Sequence, residues 1–195
     1  MNDTREYIID EAYKLFLNQS YEAVSISIIS DAIGFTKGAL YHHFKNKEEL
    51  FKAVIDKHFT IPSISVDVDH ITLKEYTEAS IEHVRKILMS IFKQDEKFVF
   101  VNYLSLITDS FRHYESFAQE KLNFIDKELG NVKAIISHAI KLGEIRSDIN
   151  VHVVALQYFS LSMGLAGDIV RNSSIESAVN SMKDQLNQLY QLLKI

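Results

Sequence analysis

Apolar positions recur along this chain at spacings of three and four residues almost from end to end, the period of a helix with one buried face. Ile8, Ala12, Leu15 and Phe16 make the first such stripe, within residues 4–19, with Asp10, Glu11 and Lys14 off it. Ile26, Ile29 and Ile33 carry a short second one, about 26–33, and Leu40 and Phe44 a third, about 37–43. Leu50, Phe51, Val54 and Ile55 predict a fourth helix ending near His58. Leu73, Tyr76, Ser80, Val84, Ile87 and Ile91 share one face of a fifth, which Gln94-Asp95-Glu96 should break. The run from Phe98 to Ile107 has the β-branched and aromatic content of a strand. Its neighbours are helical, however, so a helix buried nearly all round is expected. Phe111, Tyr114, Phe117, Phe124, Ile125, Leu129, Val132, Ile136 and Ile140 continue the period over 111–142, as one long helix or two. Val154, Tyr158, Leu161, Leu165 and Ile169 predict a helix over about 151–171, and Ala178, Met182, Leu186, Leu189 and Leu193 the last.

Local signals punctuate this pattern. Ser25, Thr36 and Asn150 are N-cap candidates, since a short polar side chain can accept a backbone N–H left free in the first turn. Asn46 with Glu49, Thr72 with Glu75 and Ser173 with Glu176 have the spacing of capping boxes. Gly34 and Gly143 are C-caps. Gly164 and Gly167 sit inside the penultimate helix, which suits a place where another helix comes very close. Residues 60–71 hold the only proline, Pro62, among Ser and Asp alternating with Ile and Val. They read as a connector dividing residues 1–59 from 60–195. The expected fold is therefore all-α, with about nine helices in two domains.

Composition narrows the class. With 195 residues, 47% of them hydrophobic, the chain can build a real core. It has no cysteine, so neither a disulfide framework nor a thiolate site is available. The start is polar (Asn2, Asp3, Arg5, Glu6), unlike a signal peptide. No apolar run is expected to reach the ~20 residues that span a bilayer. A cytoplasmic protein without a membrane partner is expected. No His-Glu-x-x-His, Gly-x-Ser-x-Gly, Walker loop or glycine-rich dinucleotide turn occurs. The eight histidines are scattered. No catalytic residue, metal or cofactor is expected, and the protein is not read as an enzyme.

Charge then singles out one stretch. The chain carries a net −5, and both residues 1–60 and residues 61–195 are acidic, at −2 and −3. Yet between Asp31 and Glu48 there is no acid, and Lys37, Lys45 and Lys47 fall there. Residues 24–47 read as two short helices joined by a tight turn at Gly34, with Phe35 filling the angle. Off the buried face of the second lie Lys37, Gly38, Ala39, Tyr41 and His42. Small residues, a cation, an imidazole and a phenol suit insertion into a major groove. An ordinary helical hairpin with a solvated lysine face has the same spacing. Lys47 stands in the first turn of the fourth helix, where a free cation opposes the dipole. A phosphate held between Lys47 and the helix N–H groups would account for it; so would a surface lysine costing a few tenths of a kcal/mol.

Gly34-Phe35-Thr36-Lys37-Gly38-Ala39-Leu40-Tyr41-His42-His43-Phe44-Lys45-Asn46-Lys47-Glu48-Glu49-Leu50 resembles the helix-turn-helix signature of the tetracycline-repressor (TetR) family. Tyr41, Phe44, Lys47 and Leu50 match its most typical positions. Ser30 and Ile33 stand where that family usually has alanine, and Ser20 where it usually has glycine. The turn Gly143-Glu144-Ile145-Arg146 resembles one that precedes its penultimate helix. The resemblance is strong over about 5–58 and weak over 143–170.

The resemblance implies an N-terminal three-helix, helix-turn-helix DNA-binding domain and a C-terminal helical domain for ligand binding and dimerisation. It implies a regulator, a repressor in the usual case, that binds a double-stranded palindromic DNA operator and is released by a small-molecule effector. Homodimerisation is expected through residues about 150–193. Lys37, Ala39 and His42 are the candidates for base edges, and Gly38 for close backbone approach. Tyr41 and Lys47 are expected on phosphates, with Ser25, Ser27 and Thr36 completing the DNA-facing set. Phe92, Phe98, Asn102, Tyr103, Phe111, Tyr114, Phe117, Tyr158 and Phe159 are candidates for an effector pocket, though plain core packing is the commoner reason for any one of them. His83, His113, Gln157 and Asp168 are further polar candidates. A helix-turn-helix regulator whose C-terminal domain binds a protein, or nothing, is the alternative.

Overall fold

The computed structural model describes residues 2–60, 62–92, 100–172 and 174–195. Short-range capping sets most of its helix boundaries. Asn46 accepts the Glu49 N–H at 2.7 Å, and the Glu49 carboxylate reaches back to the Lys45 N–H at 2.8 Å. Thr72 and Glu75 exchange the same kind of bonds. Ser25, Thr36, Asn150 and Ser174 each accept the N–H three residues on. Gly34 and Gly143 have φ of 70° and 69°, the left-handed conformation in which a side chain would be strained.

The resulting elements are α1 (Asn2–Asn18), α2 (Ile26–Ile33), α3 (Lys37–His43), α4 (Lys47–His58), α5 (Leu73–Phe92), α6 (Phe100–His113), α7 (Phe117–Lys141), α8 (Val151–Met163), α9 (Leu165–Asn172) and α10 (Ile175–Leu193). The fold is all-α; among the described residues the only β-type pairing is a single bridge between Ile145 and Lys194.

Two compact units form. One gathers residues 1–61 and 99–120, the other 62–98 and 121–195. In the first, α1 packs against α2, α4 and α6. Its core is Ile8, Ala12 and Phe16 of α1, Ile29 and Ile33 of α2, Leu40 and Phe44, and Leu50, Phe51, Val54 and Ile55 of α4. Burying each large apolar side chain stabilises by ~1.5–3 kcal/mol, which holds the short α2 and α3 that isolated peptides could not sustain. In the second unit, α10 packs against α5, α8 and α9. Leu73, Ile135, Ile136, Ala139, Ala155, Ala178, Val179 and Leu186 fill it.

The turn after Gly143 ties three places together. The Glu144 carboxylate accepts the N–H groups of Leu73 and Lys74 at 2.8 and 3.0 Å, capping α5 from outside its own chain segment. Arg146 N–H donates to the Leu193 carbonyl, and Ile195 N–H to that of Glu144.

Four expectations are corrected or refined. The period over 111–142 belongs to two helices, because Tyr114–Ser116 break it: Phe117 N–H turns back to the Tyr114 carbonyl, and Ser116 Oγ bonds Glu120. Phe111 therefore lies in the last turn of α6, which takes in the described part of the ambiguous 98–107 run as helix. The penultimate helix is interrupted at Gly164, where Gly167 N–H takes the Gly164 carbonyl three residues back instead of four. Ser174 caps α10, and Glu176 pairs with Arg85 of α5 instead of reaching back. The stretch Val151–Arg171 does reach, at 21 residues, the length and apolar character of a membrane span. It is broken at Gly164, carries Asp168 and Arg171 as an ion pair, and buries Val154, Ala155, Tyr158, Leu165 and Ile169 in the second unit. The expected break at Gln94-Asp95-Glu96, and residues Phe98 and Ser173, lie outside the described residues.

Candidate nucleic-acid interface

Three short elements build the candidate interface. Gly34 ends α2, Phe35 lies 6.2 Å from Tyr7 of α1, and Thr36 starts α3 by accepting the Ala39 N–H at 3.2 Å. Leu40 and Phe44 turn inward, each 1% exposed. Helical periodicity then leaves Thr36, Lys37, Gly38, Ala39, Tyr41 and His42 on the outside, and all six are exposed. Ser25 is exposed at the start of α2 and Ser27 is half-buried beside it. The expected residues of α3, with Ser25, are thus left exposed on a stretch that carries no acid from Ala32 to Lys47. A Cβ placed on Gly38 would meet only Thr36 Oγ1, at 3.9 Å, so the fold itself does not require glycine there. Ser30, an unusual residue for its position, is buried but satisfied: its hydroxyl donates to the Ser27 carbonyl at 2.9 Å.

Lys47, expected on a phosphate, already has partners within the protein. Its ammonium donates to the Tyr21 carbonyl at 3.0 Å and lies 3.9 Å from the centre of the Tyr21 ring. Carbonyl and π-face together offset its unfavourable position in the first turn of α4. An ammonium has three donors, so donors remain beyond the one given to Tyr21.

Tyr21 itself was not singled out by the sequence. Its ring packs edge-on against Phe51 at 4.7 Å and stacks on His113 at 4.1 Å. Its N–H donates to Asp109 Oδ2 at 2.8 Å, and Asp109 is 7% exposed. A buried carboxylate on α6 thereby fixes the loop whose Tyr21 carbonyl receives Lys47. Asp109 stands three residues after buried Leu106 and six after buried Tyr103; an acid inside an apolar register was the readable signal. At the α1–α4 contact, His58 stacks flat on Tyr13 at 4.0 Å and lies 3.1 Å from Asp10. Burial first, and the Lys57 charge, lower its pKa against the pull of Asp10.

The effector-pocket candidates divide between the units. In the first, Tyr103 stacks on Phe59 at 4.7 Å, and Phe117 meets Phe111 and Tyr114 at 5.0 and 5.9 Å. Tyr114 lies within hydrogen-bond distance of both Asp56 and Glu120, and burial pushes its pKa up to about 12. Asn102 is half-buried, and Phe111 is 52% exposed. In the second unit, Tyr158 is buried against Thr77 and Phe159 is half-buried. Phe98, and the side chain of Phe92, lie outside the described residues. Of the polar candidates, His83 meets the Pro62 carbonyl, His113 meets Glu22, Asp168 meets Arg171, and Gln157 is exposed. Two groups that were not singled out as polar candidates are more telling. Glu128 Oε1 is buried without a hydrogen-bond partner among the described residues, a condition that costs ~1–3 kcal/mol or more; Ser80 Oγ is buried beside the Tyr76 phenol, whose pKa its hydroxyl lowers against the rise due to burial.

A three-helix unit that exposes a short, capped, acid-free second element of a helical pair defines a helix-turn-helix DNA-binding protein. Residues 8–54 match the model of the bacterial regulatory proteins of the tetR family. The chain is 24% identical over 176 residues to the HTH-type transcriptional regulator ArpR of Pseudomonas putida, covering 85% of this chain and 79% of that one. Other curated regulators are matched over 24% to 49% of their own length. Two solved structures share the whole fold. One is NalD, the secondary repressor of the MexAB-OprM multidrug efflux pump in Pseudomonas aeruginosa, with a TM-score of 0.64, 18% identity and coverage of 99% and 96%. The other is a complex of SmeT with triclosan, with a TM-score of 0.66, 16% identity and coverage of 99% and 92%. The family model, the curated regulators and the shared fold together support a TetR-family transcriptional regulator.

Proposed function

We propose that the protein is a repressor that binds a palindromic operator as a homodimer and is released by a small molecule, acting in the cytoplasm. The observation that carries it is the exposed, acid-free surface of Thr36, Lys37, Gly38, Ala39, Tyr41 and His42. On it Lys37 donates to guanine O6 or N7, Ala39 touches a thymine methyl, and His42 meets a base edge. The hydroxyls of Ser25 and Thr36 accept N–H bonds as caps. Each keeps its own hydrogen, free to donate to a phosphate oxygen. Ser27, Tyr41 and the remaining donors of Lys47 add phosphate contacts.

One such unit discriminates weakly, at ~1–3 kcal/mol per good base contact, so two are needed. Support for a dimer comes from α8 and α9, where Val153, Leu156, Met163 and Val170 are 39–56% exposed. Their spacing makes a stripe down one side, suited to pairing across a two-fold axis. On this proposal residues 1–59 read DNA and residues 60–195 dimerise and bind the effector. The triclosan complex of SmeT supports small-molecule control.

Selection of genomic DNA fragments on the purified protein tests this. The expected product is an inverted repeat with half-sites about one helical turn or a multiple apart. Recovery of single, non-repeated sites, or of none, would overturn it.

A further inference from the structure

We infer that Arg5 of α1 is a further DNA-binding residue, its guanidinium taking a backbone phosphate of the duplex distinct from the one assigned to Lys47. The inference rests on DNA binding as proposed above and adds a contact from outside the helix-turn-helix pair.

The arginines of this chain are not held alike. Arg85, Arg146 and Arg171 each close on a carboxylate at 2.5–2.6 Å. Arg112 lies 3.9 Å from Asp109, with its side chain 69% exposed. Arg5 differs from all of them. Its guanidinium carbon stands 4.8 Å from the centre of the Phe44 ring. Glu6 Oε1 is 4.0 Å from it, too far for a hydrogen bond. The other oxygen of Glu6 is taken by Lys57, at 2.7 Å. A ring attracts a guanidinium through its charge and occupies none of its five N–H donors in the way an oxygen would. Arg5 is therefore fixed in place, 41% exposed, with its planar fork unused. That fork matches the oxygens of a phosphate.

Its place in the fold suits a duplex. Phe44 ends α3 and is buried, so the guanidinium sits at the C-terminal end of the element whose exposed side is offered to DNA. Two residues further along α1, the Tyr7 ring lies 6.2 Å from Phe35, just before α3 begins. The first turns of α1 thus accompany both ends of α3. Lys45, next after Phe44, is exposed in the stretch that carries no acid. A phosphate arriving there meets positive charge, since Lys57 offsets Glu6.

Lys47 is anchored elsewhere. Its ammonium rests on Tyr21, whose ring stacks on Phe16 at 6.0 Å. Arg5 and Phe16 stand near opposite ends of α1, about 16 Å apart at 1.5 Å per residue. The major groove is about 12 Å wide, with a phosphate backbone along each side. Cations held this far apart meet different phosphates.

Arg5→Met keeps an apolar cover on Phe44 and removes the charge, which separates a phosphate contact from a lid on the ring. Binding of the full-length protein to the selected operator and to a random duplex is followed against salt concentration. Arg5→Met is expected to weaken both duplexes by a similar factor and to lower the slope of log K against log salt by about 0.9 per half-site. Arg5→Lys, which keeps the charge, should retain the slope. Arg5→Met combined with Lys47→Ala should lower it by about twice the amount of either, because two phosphates are lost. A slope unchanged in Arg5→Met overturns the inference and leaves Arg5 a lid. A loss confined to the operator also overturns it, as the mark of a base contact, and so does a double variant no different from Lys47→Ala alone. Should Arg5→Met not fold, Arg5→Gln is read by the same slope. The unmodified protein tests the earlier proposal separately. Single, non-repeated sites would remove the palindromic operator and leave Arg5 to be read on the random duplex. An inverted repeat with equal slopes would remove Arg5 and leave the operator standing. A protein without affinity for either duplex removes both.

Discussion

Gly38 and Lys47 show how one position can serve the fold, the partner, or both. A Cβ at Gly38 would touch nothing of the protein closer than 3.9 Å, and alanine is the better helix former by ~0.5–1 kcal/mol. Gly38→Ala should therefore hold or raise Tm while weakening operator binding severalfold. A variant that binds DNA normally would remove the case for close backbone approach at α3. Lys47 is the opposite kind of residue. Its ammonium is engaged by the Tyr21 carbonyl and ring, so Lys47→Ala should cost about 1 kcal/mol of stability from the cation–π contact and hydrogen bond together. It should also weaken specific and random DNA alike and lower the salt slope by about 1 per half-site. Urea titration and salt-dependent binding read the two effects separately. An unchanged salt slope would leave Lys47 a purely internal strut.

Among elements, α6 matters more than its sequence suggests. Asp109 places a buried carboxylate against the Tyr21 N–H, and Asp109→Ala would leave that N–H without a partner. The expected loss is ~1–3 kcal/mol, read by denaturant unfolding, with weaker operator binding because the loop whose Tyr21 carbonyl and ring hold Lys47 is no longer fixed. Stability unaffected by the substitution would mean that water replaces the carboxylate. The α1–α4 contact has its own signature. His58 has a folded-state pKa below its ordinary value, chiefly through burial. The unfolded chain then takes up its proton first as pH falls. The contribution of neutral His58 is thus full above about pH 6.5, the unfolded value, and is lost as pH drops through the folded one. His58→Gln should flatten the fall in Tm between pH 7 and 5 relative to the unmodified protein; parallel curves would exclude His58 as a source.

For the whole molecule, the decisive surface is the one the chain does not cover itself. Val153, Leu156, Met163 and Val170 face outward from helices whose opposite side is core. Gly167, with no neighbour within 4 Å, leaves room for a second helix. Met163→Glu should give a folded monomer by size-exclusion chromatography with unaltered helicity. Its operator affinity should fall by orders of magnitude, since the half-sites are no longer read together. A Met163→Glu dimer with full affinity would move the interface elsewhere.

What the sequence determined was mostly local. Caps at Ser25, Thr36, Asn46, Thr72 and Asn150, stops at Gly34 and Gly143, and stripes of period 3.6 depend on neighbours within four residues, and their expected boundaries for α2, α3 and α4 match the structure. The exposed set on α3 was legible for the same reason, because Leu40 and Phe44 fix which side turns inward. Tertiary structure alone decided what lies between distant segments. Ser173-Ser174-Ile175-Glu176 looked like a capping box, but Glu176 had a better partner in Arg85, 91 residues away. Lys47 looked unpaired because its partner is a backbone carbonyl 26 residues earlier, an atom every residue carries and no pattern marks. Asp109, Ser80 and Glu128 each stood as a polar interruption in an apolar register, visible as an anomaly. Whether such a group finds its partner within the fold, as Asp109 does at the Tyr21 N–H, depends on which helices come to lie against it.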